Sequence, residues 1–162
     1  MVFTTAPDGS ILVSDRSTDE WRISRFDQTG QLLASIERDY EPVRKSDEQL
    51  SDEMEHARQR YLNGMGTLDG FNWQPEEFLP AISEIQVDGL DRVWVKRGGY
   101  REIVYDVMTL DGEDLFTAVF SPPQWQGYYT WNLKISADGC LARPSQPDRY
   151  PLVYRLELVA EE

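Results

Sequence analysis

The chain has 162 residues, enough for one domain with a hydrophobic core, and 29 acidic against 16 basic side chains give it a formal net charge of −13. Such a charge repels phosphate backbones and anionic membrane surfaces, so nucleic acid is not an expected partner. A hydrophobic content of 40% with 12% aromatic residues is typical of a folded chain rather than a disordered one.

Neither a membrane span nor a targeting segment is expected. No apolar run approaches the ~18 residues of a spanning helix. The first nine residues contain neither a basic region nor an apolar run, which predicts no signal peptide in this chain. We therefore expect a soluble protein, cytoplasmic as the chain is written or exported if a leader is removed. Cys140 is the only cysteine, which excludes an internal disulfide and a cysteine-based zinc site.

The first predicted unit covers residues 1–36 and consists of short alternating segments joined by turns. The stretch Ala6-Pro7-Asp8-Gly9 is typical of a hairpin turn, and Gln28-Thr29-Gly30 marks a second one 21 residues further along. A glycine in each turn permits the positive φ that tight hairpins need. Residues 10–15, 21–27 and 31–36 alternate between apolar and polar side chains, the period of a half-buried strand.

Residues 37–80 are predicted to be an insertion that contains one helix. Ser46 with Gln49 matches a capping box, which favours a helix start at residue 47. An apolar stripe recurs at helical spacing, and its members are Leu50, Met54, Ala57 and Tyr61. The pair Asn63-Gly64 favours a helix end, so the sequence predicts an amphipathic helix over residues 47–62. Its other side is acidic and is expected to be exposed: Asp47, Glu48, Asp52, Glu53 and Glu55.

A second unit is predicted over residues 81–121 and a third, partial one over residues 122–162. Asp88-Gly89 and Asp111-Gly112 are the expected turns of the second unit, 23 residues apart, and Asp138-Gly139 is the expected turn of the third. Asp8, Asp88 and Asp138 are predicted to occupy the same point of each unit and to bond their own turn backbone. The fold expected for the whole single domain is mainly β, built from antiparallel four-stranded meanders with one inserted amphipathic helix.

Three stretches resemble six-bladed β-propellers of the NHL and TolB-like kind: residues 6–15, residues 87–95 followed by Tyr105-Asp106-Val107, and residues 151–156. The resemblance implies two full blades and a partial third, similar to the carboxy-terminal two to three blades of such a ring. A chain of this length cannot close the ring, so the resemblance predicts an incomplete propeller whose open sheet edges need a cover. It is nearly silent on activity, since the group includes lyases, lactonases and pure binding modules.

No catalytic, cofactor or metal site is predicted. His56, the only histidine, lies off the apolar stripe of the helix and is expected to be exposed, with no Gly-x-Ser-x-Gly elbow to partner it. Cys140 follows a turn glycine and favours a small core thiol. The acidic pairs near Asp88 and Asp111 do not match the spacing of a calcium loop and are interpreted as solvated turn acids.

The aromatic segment 125–131 is the strongest candidate for a partner surface, because Trp and Tyr are typical of interface hot spots. The predicted partner-binding residues are Trp125, Tyr128, Tyr129, Trp131 and Trp73. The alternative for the segment is that it wedges between neighbouring sheets.

The sequence thus predicts a non-catalytic interaction or accessory scaffold subunit of a larger assembly. Such a subunit would use the open sheet edge, the segment 125–131 and the inserted helix to bind another protein chain or a second copy of itself. The alternative function is the carboxy-terminal part of a propeller enzyme, of lyase or lactonase type, completed by missing blades or by a second copy.

Overall fold

The structure is a computed structural model that describes residues 1–99, 103–120, 131–136, 139–144 and 153–159. These residues form three antiparallel sheets and one helix. The first sheet has the strand order β1 (Val2–Thr5), β2 (Ile11–Ser14), β3 (Trp21–Phe26), β4 (Leu32–Arg38). The second has the order β5 (Ile82–Val87), β6 (Val93–Arg97), β7 (Ile103–Met108), β8 (Asp114–Phe120). The third has the order β9 (Trp131–Ser136), β10 (Gly139–Pro144), β11 (Tyr154–Leu156).

The predicted fold class is confirmed: the chain is mainly β, with two four-stranded meanders, a third sheet of three described strands and one helix among the described residues. Strand β1 precedes the first turn, and its four residues do not alternate between apolar and polar side chains. The propeller resemblance stays a prediction.

Four hairpins share one five-residue turn, which fixes the register of the first two sheets. In each turn the first residue donates its N–H to the carbonyl of the fifth, and the fourth donates to the carbonyl of the first. The fourth residue has a positive φ in every case: Gly9 (84°), Gly30 (85°), Asp91 (59°) and Gly112 (92°). A left-handed residue at this position is what a type I turn followed by a bulge requires.

The predicted alignment of the turn acids is wrong by two residues. Asp91, and not Gly89, takes the left-handed position, so Asp88 opens its turn as Ala6 does, whereas Asp8 is the third residue of its own. Asp138 lies outside the described residues. The corrected spacing between left-handed residues is 21 in both sheets, and adding 82 to a residue number in the first sheet gives its counterpart in the second, as Val13 gives Val95.

The predicted role of the turn acids is confirmed for Asp8 and Asp88, the two that lie within the described residues. Asp8 Oδ1 accepts hydrogen bonds from the N–H and the hydroxyl of Ser10, at 2.9 and 2.7 Å. Asp88 Oδ1 accepts from the N–H groups of Leu90 and Arg92, at 2.9 and 3.0 Å. Each carboxylate therefore satisfies backbone donors that the turn would otherwise leave unpaired.

Two hydrophobic cores hold the three sheets face to face. The first lies between the first and second sheets and contains Ala6, Leu12, Trp21, Ile23, Ile36, Ala81, Ile82, Ile85, Val93, Val95 and Met108. The second lies between the second and third sheets and contains Trp94, Ile103, Tyr105, Val107, Trp131, Leu133, Ile135 and Ala142. Because side chains alternate along a strand, the second sheet contributes one face to each core.

Residues Glu41–Leu79 form a compact unit separate from the unit of Met1–Tyr40 and Pro80–Glu162. Its two ends pair with each other: the Lys45 N–H donates to the Glu77 carbonyl, and the Leu79 N–H donates to the Val43 carbonyl, both at 2.9 Å. Between these ends lies helix α1 (Asp47–Met65), which begins with the predicted capping box of Ser46 and Gln49. None of the described residues forms a helix long and apolar enough to cross a bilayer.

Three details of the helix differ from the sequence prediction. It continues past Asn63-Gly64, because Gly66 is the residue that adopts the left-handed cap (φ 75°) and donates its N–H to the Leu62 carbonyl. Glu53 is buried rather than solvated, since Lys45 Nζ lies 2.8 Å from its carboxylate in an equally buried position. His56 is partly buried rather than exposed.

Candidate protein-interaction surface

Each face of the second sheet has its own packing partner. We call the face that packs on the preceding sheet the upstream face; in the second sheet it consists of Ile85, Val93, Val95 and Met108, each at most 4% exposed. We call the opposite face, which packs on the following sheet, the downstream face; here it consists of Trp94, Ile103, Tyr105 and Val107.

The first sheet repeats these two faces at positions 82 residues earlier. On its downstream face Leu12, Trp21 and Ile23 are the counterparts of Trp94, Ile103 and Tyr105, and they are buried in the first core together with Ile36. Arg25 takes the position of Val107. Its upstream face consists of Phe3, Ile11, Val13 and Phe26. The cross-strand pairs confirm the equivalence: Phe3 lies opposite Val13 and Ile11 opposite Phe26, as Ile85 lies opposite Val95 and Val93 opposite Met108.

The upstream face of the first sheet is apolar but open. Phe3 is 65% exposed, while Ile11, Val13 and Phe26 are partly exposed. Leu32, the cross-strand neighbour of Phe26, extends the apolar surface and is itself more than half exposed. Four positions that are sealed in the second sheet are therefore accessible in the first, although their side chains are similarly hydrophobic.

The third sheet ends the stack with a different chemistry. Its upstream face is buried in the second core, but its downstream face carries Lys134, Arg143 and Arg155 around the apolar residue Leu141. All four are exposed, and none of the three cations forms an ion pair with another described residue. One end of the stack is thus apolar, and the other is basic and polar.

The structure buries one of the predicted partner-binding residues. Trp131 is only 8% exposed and packs in the second core, with ring centroids 5.6 Å from those of Phe120 and Tyr154. It wedges between sheets, which corresponds to the alternative interpretation of the aromatic segment. Trp125, Tyr128 and Tyr129 lie outside the described residues, and Trp73 is 43% exposed within the Glu41–Leu79 unit, where its partner-binding role stays a prediction.

A buried carboxylate, Asp88, organises the turn between β5 and β6. Besides the two backbone amides of its turn, it accepts hydrogen bonds from Arg92 Nε at 2.7 Å and from Trp94 Nε1 at 2.9 Å. Burial alone would raise the pKa of Asp88, but the hydrogen bonds from the Trp94 indole and from Arg92 outweigh it and hold the pKa below its usual value. The network fixes Trp94 in the downstream face and has a structural role.

A second polar cluster lies where the second and third sheets meet. Glu84 accepts hydrogen bonds from Gln86 Nε2 at 2.8 Å and from Tyr105 Oη at 3.3 Å, and Lys96 Nζ lies 4.0 Å from it. Burial lowers the pKa of Lys96, and burial together with Glu84 raises the pKa of Tyr105 and raises that of Cys140 to about 11. The thiol is therefore protonated at neutral pH, and Cys140, predicted to be a buried core thiol, is only partly buried at the margin of the second core.

The side chain of Gln86 joins the second sheet to the backbone of β9 in the third sheet. Its side chain donates to the Leu133 carbonyl at 2.9 Å and accepts from the Ile135 N–H at 3.0 Å. The side chain thus pairs with two backbone groups of β9 that a neighbouring strand would otherwise pair with, and it holds β5 beside β9. Strand β5 also lies beside β1.

Comparisons with protein-family models, with curated proteins and with solved structures gave no match. Among the described residues, no group of three His, Cys, Asp or Glu side chains is arranged to hold a metal ion. The upstream face of the first sheet was not among the residues that sequence reasoning selected. The signal that could have revealed it is the 82-residue repeat, once Asp91 is aligned with Gly9.

Proposed function

We propose that the chain is a non-catalytic protein-interaction module, an accessory or scaffold subunit of a larger assembly. The observation that carries the proposal is the open upstream face of the first sheet, whose equivalents in the second sheet are all sealed against another sheet. An apolar sheet face with Phe3 and Leu32 exposed and its other members partly exposed, on a strongly acidic protein, is typical of an interaction site.

We further propose that the three sheets are blades of an incomplete propeller. The proposal is supported by the face-to-face stacking of the meanders in chain order and by their first strands, since β1 lies beside β5 and β5 beside β9. In such an arrangement the upstream face of the first sheet is the position where a preceding blade would pack. The predicted contributions of the open sheet edge, of segment 125–131 and of the inserted helix stay predictions.

Burial of this face would supply part of the free energy that a specific contact needs. Burying a side chain the size of Val or Phe stabilises a complex by roughly 1.5–3 kcal/mol relative to full exposure. Phe3 has the most surface to lose and is the expected hot spot, whereas Ile11, Val13 and Phe26 are already mostly covered and contribute less. The sum has to offset an association cost of roughly 4–15 kcal/mol, so the rim contacts also have to contribute.

The test compares proteins that co-purify with the tagged full chain and with the double variant Phe3→Ser, Val13→Thr, both expressed in the cells of origin and quantified by mass spectrometry. Leu141→Ser is the matched control, because it removes an exposed apolar side chain from the opposite end of the stack. We expect a stoichiometric partner that the double variant loses and the control retains. Recovery of the same proteins by all three chains, or of none, would contradict the proposal.

A further inference from the structure

The chemistry of the two open ends identifies the kind of partner. On the basis of the proposed function, we infer that the upstream face of the first sheet binds the apolar downstream-type face of an antiparallel β-sheet in a different protein, and not a second copy of this chain. The surface is the one already defined by Phe3, Ile11, Val13 and Phe26.

The first argument is the pairing rule that both internal interfaces follow. In the first core, the downstream residues Leu12, Trp21 and Ile23 meet the upstream face of the second sheet. In the second core, the downstream residues Trp94 and Ile103 meet the upstream face of the third sheet. Each interface joins a downstream face to an upstream face, and each downstream face contributes a tryptophan. The open upstream face is therefore shaped for a sheet of the same kind that presents a large aromatic side chain among aliphatic ones.

The second argument is that another copy of the chain has no such face to offer. The downstream faces of its first and second sheets are already buried, and that of its third sheet is basic. Docking it on Phe3 and Val13 would take Lys134, Arg143 and Arg155 out of water against apolar side chains that offer no counter-charge, at a cost of several kcal/mol for each ion. A contact between two copies of the upstream face would break the pairing rule and bring together two chains with a net charge of −13 each.

The rim of the surface sets a further requirement on the partner. At the interface between the first and second sheets, two arginines of the first sheet reach acids of the second: Arg25 Nη1 lies 3.6 Å from Asp111 Oδ1, and Arg38 contacts Asp114. The counterparts of these acids on the open side are Thr29 and Leu32, which carry no charge. The partner's sheet is therefore expected to present uncharged side chains where the first sheet presents arginines.

The first measurement is sedimentation equilibrium of the purified full chain at low and high ionic strength. We expect a monomer in both conditions. A dimer that the Phe3→Ser variant abolishes would overturn the inference, because the occupant would then be a second copy, but it would leave the proposed interaction role intact.

The second measurement places the photo-cross-linker p-benzoylphenylalanine at position 3 of the full chain in the cells of origin and maps the cross-linked residues by mass spectrometry. Position 141, at the other end of the stack, is the control. We expect position 3 alone to react with the apolar face of a β-sheet in a different protein. The substitution Val13→Thr is too conservative to unfold the chain, and we expect it to weaken the affinity of the isolated complex about tenfold, equivalent to ~1.4 kcal/mol.

The other outcomes separate the two proposals. Cross-links from position 3 to a helix or to an extended peptide of another protein would overturn the inference and leave the interaction role standing. Cross-links to no other protein would overturn both.

Discussion

Replacing Asp88 with alanine removes the centre of the best-connected hydrogen-bond network among the described residues. The Asp88 side chain is completely buried, and its two oxygens accept four hydrogen bonds, from the backbone amides of Leu90 and Arg92, from Arg92 Nε and from Trp94 Nε1. The guanidinium of Arg92 is partly exposed and can regain water. The Trp94 indole is 4% exposed and cannot.

The expected loss follows from these partners. A buried donor left without an acceptor costs about 1–3 kcal/mol, and a hydrogen bond to a charged group contributes about 1.5–3 kcal/mol. With the turn amides partly rehydrated, we expect Asp88→Ala to lower the free energy of unfolding by about 3–5 kcal/mol. For a chain of this size the melting temperature should fall by on the order of 10 °C.

The assay is urea unfolding followed by circular dichroism and by tryptophan fluorescence. Asp27→Ala is the matched control, because Asp27 also opens a turn of the same type and accepts from the amides of Thr29 and Gln31, but in an exposed position. We expect the control to lose about 1 kcal/mol. An Asp88→Ala variant no less stable than Asp27→Ala would refute the idea that burial of Trp94 makes this carboxylate important.

Four further predictions concern two turns, the sheet junction and the thiol. Asp91→Gly should stabilise the chain by about 0.5 kcal/mol, because Asp91 has a φ of 59° at a position where three other turns use glycine. Gly30→Ala should lower the free energy of unfolding by about 1 kcal/mol through backbone strain alone, since nothing lies within 4 Å of the added Cβ. Urea unfolding measures both changes. Gln86→Leu should leave two buried backbone groups of β9 unpaired, cost about 2–4 kcal/mol and accelerate hydrogen exchange at the Ile135 amide; unchanged exchange would contradict the bridging role. Cys140 should react with a disulfide reagent only slowly at neutral pH, and its rate should rise with pH through about 11, because the raised pKa keeps it a thiol until then; a rate that levels off near pH 9 would contradict this.

The alternating strands, the hairpin glycines and the capping box predict most of the fold. Strict two-residue periodicity predicted the sheets, because a half-buried strand needs it, and the capping box located the helix start to the residue. The helix end was misplaced because both Gly64 and Gly66 can adopt the left-handed cap, and only tertiary context selects Gly66. Burial of Glu53 was not predictable either, since its partner Lys45 precedes the helix and lies off its surface pattern.

The candidate surface could not be predicted because the repeat was aligned on the wrong residue. An Asp-Gly pair normally places glycine in the left-handed position, but in the turn after β5 that position is taken by Asp91, two residues later. The misalignment concealed the constant 82-residue offset and with it the equivalence of Val13 and Val95. The exposure of Phe3 is a property of the assembled stack, because the same alternating pattern is buried in the second sheet.

The pair Val13 and Val95 provides the most direct test of the claim that the upstream face of the first sheet is open. The two residues occupy the same position in equivalent strands, but Val95 is completely buried and Val13 is partly exposed. Threonine preserves the shape of valine and adds one hydroxyl, which costs about 1–3 kcal/mol when it is buried without a partner. We predict that Val95→Thr lowers the free energy of unfolding of the purified chain by this amount and that Val13→Thr lowers it by less than about 0.5 kcal/mol. Equal losses in the two variants would show that the face is already sealed within the chain and would contradict the account.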